Sequence, residues 1–306
     1  MTEKNNKTSG YCKLADIYKK HHAKLLVLPI MLFVLSCFLI FNTYKQEGSP
    51  IYRDVSLKGG LSAIIEIDEQ ITINDFKLAL EEKFPANSFA VSKLNSEGKE
   101  VGYIVDSDFT AEDEKDLLDF SNSLFKTELV SGENFTSNYI SSSLSDTFFR
   151  QAIIALIFSF FFMSLVIFLY FKKIVPSIGI IFSAFFDITV VVGILNLIKF
   201  NLSVAGIGAI IMLIGYSIDT NVLLTNRLVK EPGKNYFEKV LLAVKTGSLM
   251  SFTTMVAALS AIFFSNSEVI FEISLIICIG LVVDYIATWI QNTSLLLLWL
   301  FKSQEK

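Results

Sequence analysis

Six long apolar stretches constrain the fold of this chain more than any other feature of its sequence. They occupy residues 25–44, 152–171, 174–198, 202–226, 240–264 and 269–300. Each is about twenty residues or longer, the length that a helix needs to cross the hydrocarbon core of a bilayer. The composition agrees, because 52% of the residues are hydrophobic and the mean hydropathy is +0.54. The sequence therefore predicts a polytopic α-helical membrane protein rather than a soluble enzyme.

Basic residues beside these stretches predict the orientation of the chain in the cell membrane. They lie in residues 1–24, at Lys172 and Lys173, in residues 227–239 and in residues 302–306. Basic segments stay in the cytoplasm, so the N-terminus (1–24) and the tail (302–306) are expected there. Residues 45–148 are then extracytoplasmic. The first stretch is expected to be an uncleaved helix, because it is too long for a signal peptide and lacks a small-residue cleavage site.

The polar insert between the first two stretches, residues 45–148, has the size of a domain. Its elements are a strand at 61–67, a helix capped by Asn74, a hairpin of strands 88–94 and 100–105 turning at 95–98, a helix with a capping box at 110–113, and a strand at 134–144. Strand-forming and helix-capping residues mark these elements in the order βαββαβ. That order predicts a ferredoxin-like α+β domain. The remaining residues, 149–301, are assigned to transmembrane helices two to six.

The fourth stretch carries a carboxylate inside an apolar run. Gly206, Gly208 and Gly215 would let another backbone approach closely, and Asp219 follows them. The neighbouring polar residues are Tyr216, Ser217, Thr220, Asn221, Thr225, Asn226 and Arg227. A carboxylate at the centre of a membrane helix costs about 2.5–3.5 kcal/mol on insertion scales and is usually functional. The pattern predicts a wet or proton-accessible path between helices, and the alternative is an aspartate that only binds its Thr and Asn neighbours.

Three further charges lie within predicted spans. Asp187 is near the middle of the third span, Asp284 is near the middle of the sixth, and Lys245 is near the cytoplasmic end of the fifth. Either aspartate could carry protons, and either could equally hold two helices together by hydrogen bonds. Lys245 could reach inward, or its ammonium group could extend to the membrane surface.

Several classes of site are not expected. The three cysteines, at positions 12, 37 and 278, all lie outside the polar insert, so the insert is not a disulfide scaffold. No Cys/His spacing suggests zinc, and His21 and His22 lie in a lysine-rich stretch that favours contact with the lipid surface. The acids between 106 and 119 fit a solvated helix face better than a metal site. With no nucleophile–base pair or phosphate loop, the sequence predicts no catalytic residues, cofactor, metal or nucleic-acid partner.

A family resemblance lies in the fourth span. Residues 215–223 read GYSIDTNVL and are followed by Arg227. They resemble the fourth transmembrane helix of SecF proteins, in the SecD/SecF protein-export family of the resistance-nodulation-division superfamily. The Gly-Tyr-Ser part is similar to SecF, and the Asp-x-Asn-Val-Leu part is similar to the matching helix of SecD.

Other segments extend the resemblance over residues 50–300. Gly59 and Gly60 match an Asp-Phe-x-Gly-Gly motif, although Ser56 replaces its aspartate. Asp187 resembles the span-three aspartate of the family, and residues 280–292 look like the archaeal form of SecF. Span five, with Thr253 and Thr254, is similar to a Ser/Thr-rich span of the family, whose arginine falls near Lys245 or Thr246. One insert after span one and the length of the chain favour SecF over SecD.

The resemblance implies a subunit that pairs with SecD beside the Sec translocon and assists translocating secretory proteins. It also implies that this assistance is coupled to a proton gradient. The implied ion or proton relay candidates are Asp219, Asp187, Asp284 and Lys245. The implied supporting polar residues are Tyr216, Ser217, Thr220, Asn221, Arg227, Thr253 and Thr254. Two rival functions stay open: an ion-coupled small-molecule exporter of the same superfamily, and a scaffold subunit without a motor role.

Overall fold

The computed structural model describes residues 25–67, 71–96, 99–125, 127–231, 235–265 and 267–304. The predicted basic N-terminus, residues 1–24, lies outside these. In the described part, six helices are long and apolar enough to cross a membrane. Spans one to five are Val27–Glu47, Ser142–Phe171, Ile174–Leu197, Val204–Val229 and Tyr236–Phe264. Span six comprises Glu268–Ile286, a π-helical segment Ala287–Asn292 and a final helix Thr293–Gln304.

Spans three, four and six form the centre of the bundle. About half of the most apolar window of each is buried, namely 56%, 50% and 50%, against 17%, 6% and 11% for spans one, two and five. Small residues let the central helices approach closely. A Cβ placed on Gly280 of span six would lie 2.4 Å from a methyl group of Leu213 of span four. The peripheral spans therefore present most of their apolar surface outward, as expected for helices that face lipid or another membrane protein.

The polar insert folds into one four-stranded sheet. Its strands are β1 (Gly60–Glu66), β2 (Phe89–Ser96), β3 (Lys99–Ser107) and β4 (Phe135–Ile140), and they run in the order β2-β3-β1-β4 with antiparallel neighbours. Helices α1 (Ile73–Lys83) and α2 (Glu114–Phe125) connect them. This is the βαββαβ arrangement, so the predicted fold class, six spans with a ferredoxin-like domain between spans one and two, is confirmed.

The core of this domain forms where the two helices cover one face of the sheet. Alternate β1 residues Leu61, Ala63 and Ile65 are fully buried, as the twofold side-chain period of a strand requires. Phe76 of α1 and Phe125 of α2 meet edge-to-face with ring centroids 5.0 Å apart. The predicted capping box is present, because the Thr110 backbone N–H and hydroxyl both donate to the Asp113 carboxylate.

Some predicted element ends were wrong. Helix α1 is capped by Thr72 and not by Asn74, since the Thr72 hydroxyl accepts from the Asp75 backbone N–H. Strand β4 ends at Ile140, and the helix of span two begins at Ser142, well before residue 152. The extra turns are supported from outside the helix, because the Ser145 hydroxyl donates to the Val55 carbonyl (3.2 Å). The centre of the predicted 95–98 turn, residues 97–98, lies outside the described residues.

Gly59 and Gly60 are required where the chain enters the sheet. Both have positive φ, +86° and +128°, which other residues rarely adopt. A Cβ on Gly59 would lie 2.6 Å from the Ser142 Cα, and one on Gly60 would lie 2.1 Å from the Ser107 carbonyl oxygen. The glycine pair therefore lets the first strand pass close to the start of span two and to β3.

Candidate functional site

A cluster of buried polar side chains lies where the three central spans meet. Its members are Asp187 of span three, Ser217, Thr220 and Asn221 of span four, and Asp284, Thr288 and Asn292 of span six; we call this set the buried polar cluster. None of the seven is more than 4% exposed. Most buried polar groups in proteins are hydrogen-bonded, so the bonds formed within the cluster favour one packing of the three spans.

Asp284 is held by hydroxyl groups from two helices. The Thr220 hydroxyl donates to it from span four (2.9 Å to Oδ2), and the Thr288 hydroxyl donates from one turn along span six (3.0 Å to Oδ1). The two threonine hydroxyls are also 3.2 Å apart. Asp284 therefore links spans four and six through neutral donors, with no cation beside it in the described part of the chain.

Asp187 faces Asp284 from span three and interacts with it electrostatically. It is 1% exposed, yet neither of its carboxylate oxygens makes a hydrogen bond of normal geometry with the described residues. The Ser217 hydroxyl is its other near polar neighbour. Two adjacent carboxyl groups in a medium of low dielectric constant are costly to charge together. This pair is thus a chemically plausible place to bind a proton or a cation.

The cluster continues along spans four and six through amide groups. The Asn221 side chain donates to the Ser217 carbonyl (2.7 Å), and the Asn292 side chain donates to Asn221 Oδ1 (2.6 Å). Thr288 and Asn292 lie on the π-helical segment Ala287–Asn292. Such segments are frequent at functional sites because they change the direction of side chains within a helix. Here the segment places both residues at full burial against span four.

Asp219 lies apart from the buried polar cluster. It is on the exposed face of span four, together with Gly208, Met212 and Gly215. A Cβ on either of these glycines would meet nothing within 4 Å. Asp219 makes no hydrogen bond or ion pair with the residues that the structure describes. Span four thus has two polar sides, one inside this subunit and one directed away from it.

The other predicted site residues lie outside the buried polar cluster, and most of them contact neighbouring residues of their own or an adjacent helix. Arg227 donates to the Thr246 hydroxyl of span five (3.1 Å), whereas Lys245 is exposed. The hydroxyls of Thr253 and Thr254 both donate to the Met250 carbonyl of their own helix. Tyr216 is half-buried beside the exposed face.

The three predicted packing glycines differ in their surroundings. Gly206 contacts span six, whereas a Cβ on Gly208 or Gly215 would meet no other atom within 4 Å.

Sequence reasoning missed Glu272, which lies in the first turns of span six and is 8% exposed. It accepts from the Ser203 backbone N–H (2.8 Å) and from the Ser203 hydroxyl, at the start of span four. Its signal in the sequence is a single acid within an apolar run, the same signal that marks Asp187. Within the described residues, no group of three or more His, Cys, Asp and Glu side chains could hold a metal ion.

Known proteins resemble this chain over most of its length. A sequence profile described as "Protein export membrane protein SecD/SecF, C-terminal" matches residues 120–302. The protein-export membrane protein SecF of Methanocaldococcus jannaschii is 32% identical over 287 residues, covering 92% of this chain and 96% of that protein. SecF of Pyrococcus furiosus is 31% identical over 294 residues, covering 96% of each.

The fold also has a counterpart of known structure. The crystal structure described as SecDF, a translocon-associated membrane protein from Thermus thermophilus, superposes with a TM-score of 0.74 over 92% of this chain. The identity is 18%, and the matched region is 38% of that longer chain. With the sequence match to the profile and to near full-length relatives, this chain belongs to the SecD/SecF family of protein-export membrane proteins, and within it to the SecF proteins.

Proposed function

We propose that this chain pairs with SecD and assists the export of proteins through the Sec translocon, with Asp219 carrying ions as the two subunits rearrange. The observation that carries the proposal is the position of Asp219, a carboxylate on the exposed face of a membrane span with no partner among the residues that the structure describes. The names of the relatives, which are protein-export membrane proteins, supply the process.

Energetics argue that another protein covers Asp219. A carboxylate facing lipid at the centre of a bilayer costs several kcal/mol, and the glycines beside it leave room for a second helix to approach. SecD is the natural occupant in this family. A carboxylate at a subunit interface can change its protonation when the interface opens, because the solvation of its charged form changes.

In this proposal the buried polar cluster serves as a second candidate for ion binding. Asp187 and Asp284 lie within one subunit, so an ion there would stabilise one packing of spans three, four and six. The same contacts also favour a scaffold function, because Asp284 is buried and is held by two hydroxyl donors from two helices. The chain is proposed to transport and not to catalyse, and the secretory chain and the translocon are its proposed further partners.

The proposal also assigns an orientation, with both termini in the cytoplasm and residues 45–148 outside the cell membrane. In a chain whose native cysteines are replaced, a cysteine at exposed Ser92 of β2 should react with an impermeant thiol reagent in intact cells. A cysteine at exposed Lys302 should react only after the membrane is opened. The reverse pattern would overturn the orientation.

Substitution of Asp219 tests the motor function. In vesicles that contain SecD and the translocon, export with an imposed proton gradient should fall with Asp219→Asn to the level without this chain. Asparagine keeps the shape and hydrogen bonding of aspartate but cannot titrate. Asp219→Glu should keep part of the activity, and Met212→Leu on the same face is the matched control.

Co-purification with SecD separates the two candidate functions. A motor subunit with Asp219→Asn should still bind SecD and lose gradient-dependent export. If the variant binds SecD and exports normally under the gradient, Asp219 holds helices together and the scaffold function stands.

A further inference from the structure

The outer ends of several spans are joined by a short segment, residues 50–58, which leads from span one into the ferredoxin-like domain. We call it the junction segment. It pairs with the start of span four in both directions: the Leu202 N–H donates to the Tyr52 carbonyl (2.9 Å), and the Asp54 N–H donates to the Leu202 carbonyl (3.0 Å). The Asn196 side chain of span three also donates to the Pro50 carbonyl (2.9 Å).

The junction segment also contacts the base of span two. Arg53 lies 3.9 Å from the Asp146 carboxylate and stacks over the Phe149 ring at 5.1 Å. The Val204 N–H of span four donates to the Ser56 hydroxyl (3.3 Å). Any movement of the ferredoxin-like domain that pulls on this segment therefore acts directly on the first turn of span four.

Glu272 is the side chain that ties this turn to span six. Its carboxylate accepts from the N–H and the hydroxyl of Ser203, whose oxygen in turn accepts from the N–H groups of Ala205 (3.0 Å) and Gly206 (3.3 Å). A carboxylate at the N-terminus of a helix is favoured by the unpaired N–H groups and by the helix dipole. The charged group that interacts with it is Asp54 of the junction segment, another carboxylate, whose charge opposes that of Glu272, and no cation pairs with Glu272 in the described ranges. Glu272 therefore reaches the junction segment through Ser203 and the neighbouring Leu202, and not through this second carboxylate.

The close approach at this point is specific. A Cβ on Gly206 would lie 2.2 Å from Glu272 Oε1 and 2.5 Å from a Leu202 methyl group. Among the three glycines at the start and middle of span four, Gly206 is the one that faces Glu272, whereas Gly208 and Gly215 face open space. The glycine therefore makes room for the carboxylate rather than for a neighbouring backbone.

We propose that Glu272 is a positioning residue that latches the start of span four and the junction segment to span six, so that the ferredoxin-like domain and the helix bearing Asp219 move as one unit. The role of Glu272 in export rests on the proposed function. The contact between Glu272 and the start of span four does not, because it is formed within this chain. Export then depends on Glu272 although it lies on span six and meets span four at Ser203, sixteen residues before Asp219.

Hydrogen exchange tests the latch directly. In the full-length chain with SecD, Glu272→Ala should make the amides of residues 50–58 and 202–206 exchange about tenfold faster, the effect of losing one helix cap. Glu272→Gln keeps a carbonyl acceptor for the Ser203 N–H and should retain most of the protection. Ser274→Ala, at an equally buried position two residues along the same helix, should leave these amides unchanged.

Export measurements then test the coupling. Gradient-dependent export should fall several-fold with Glu272→Ala. It should also fall with Gly206→Ala, because the added methyl group displaces the Glu272 carboxylate. In the Glu272→Ala background, a disulfide between Ser56→Cys and Val204→Cys should restore export, since it joins the junction segment to span four. Unchanged exchange with Glu272→Ala would overturn the latch, and faster exchange with normal export would overturn the coupling. If Asp219→Asn exports normally while Glu272→Ala still speeds exchange, the proposed function fails and the latch stands.

Discussion

Asp284 and Asp219 occupy similar depths on neighbouring helices, yet their surroundings are opposite. Asp284 is 1% exposed and is bound by the Thr220 and Thr288 hydroxyls. Asp219 is exposed and has no partner among the described residues. One residue, Thr220, directly follows Asp219 and points to the other side of span four. The two sides of one helix thus differ in kind: one binds the neighbouring span of this chain, and the other is directed away from the chain.

The comparison shows that acids within membrane spans differ in what compensates their charge. An internal acid can be compensated completely by its own chain, and its loss then disturbs folding. An acid on an outer face is compensated only in a complex, and its loss then disturbs assembly or transport. Stability of the purified chain separates the two cases.

The largest expected difference is in stability. Asp284→Ala removes the acceptor shared by the buried Thr220 and Thr288 hydroxyls, of which Thr220 keeps the Ser217 carbonyl, and creates a cavity, so we expect a loss of about 2–4 kcal/mol. Asp219→Ala should change the stability of the purified chain by less than about 0.5 kcal/mol, because the side chain has no partner to lose. Thermal unfolding in detergent measures both, and equal destabilisation by the two variants would break the comparison.

A second prediction concerns the exposed face. Gly215→Leu should leave the chain folded, because Gly215 lies on the exposed face and a Cβ there meets nothing within 4 Å in the described structure. It should reduce co-purification of SecD about tenfold by filling the space that a second helix needs. Gly280→Leu is the contrasting variant and should impair folding, since its Cβ would lie 2.4 Å from Leu213. Normal SecD binding by Gly215→Leu would place the partner elsewhere.

The smallest effect is expected at a water-exposed acid. Two hydrogen bonds from Thr110, first from its backbone N–H and then from its hydroxyl, lower the pKa of Asp113 from its ordinary value. A lowered pKa in the folded state contributes stability above the unfolded pKa, and this contribution is lost as the pH falls through the carboxyl range. Thr110→Ala should therefore cost about 1 kcal/mol at neutral pH and less at acidic pH.

Hydrogen exchange of residues 111–125, compared between Thr110→Ala and the parent chain at each pH, measures this effect. Asp113→Asn is the matched control, because it removes the titrating group and should abolish the pH dependence. A difference that stays constant from neutral to acidic pH would contradict the prediction.

Local patterns were sufficient to predict the secondary structure of the domain. The strand at 61–67 was predicted from its β-branched residues, and the Thr110–Asp113 capping box is a short-range motif. The cap of helix α1 was assigned to Asn74 instead of Thr72, because both residues can cap and only the backbone path decides between them. The early start of span two depends on a contact with Val55, nearly ninety residues away in sequence, which no local pattern reveals.

The membrane helices show the limit of sequence reasoning more sharply. Spans three and six are apolar on nearly every side, and span four carries polar residues on two sides, so hydrophobic periodicity does not identify their buried faces. The sequence identified Asp187, Asp219 and Asp284 as three similar acids. It did not indicate that two of them meet and that the third faces outward, and it did not reveal the π-helical segment that carries Thr288 and Asn292.

By itself, the sequence determined the number of spans, the ferredoxin-like insert and the acids within the membrane, since each depends on chain length, local propensity and hydropathy. Only the tertiary structure decided the environment of each acid. That environment depends on the rotation of each helix about its axis, which is set by the packing of small residues such as Gly206 and Gly280 against side chains of other spans. Packing across helices is a long-range property, so Glu272 and its contact with Ser203 became visible only in the folded chain.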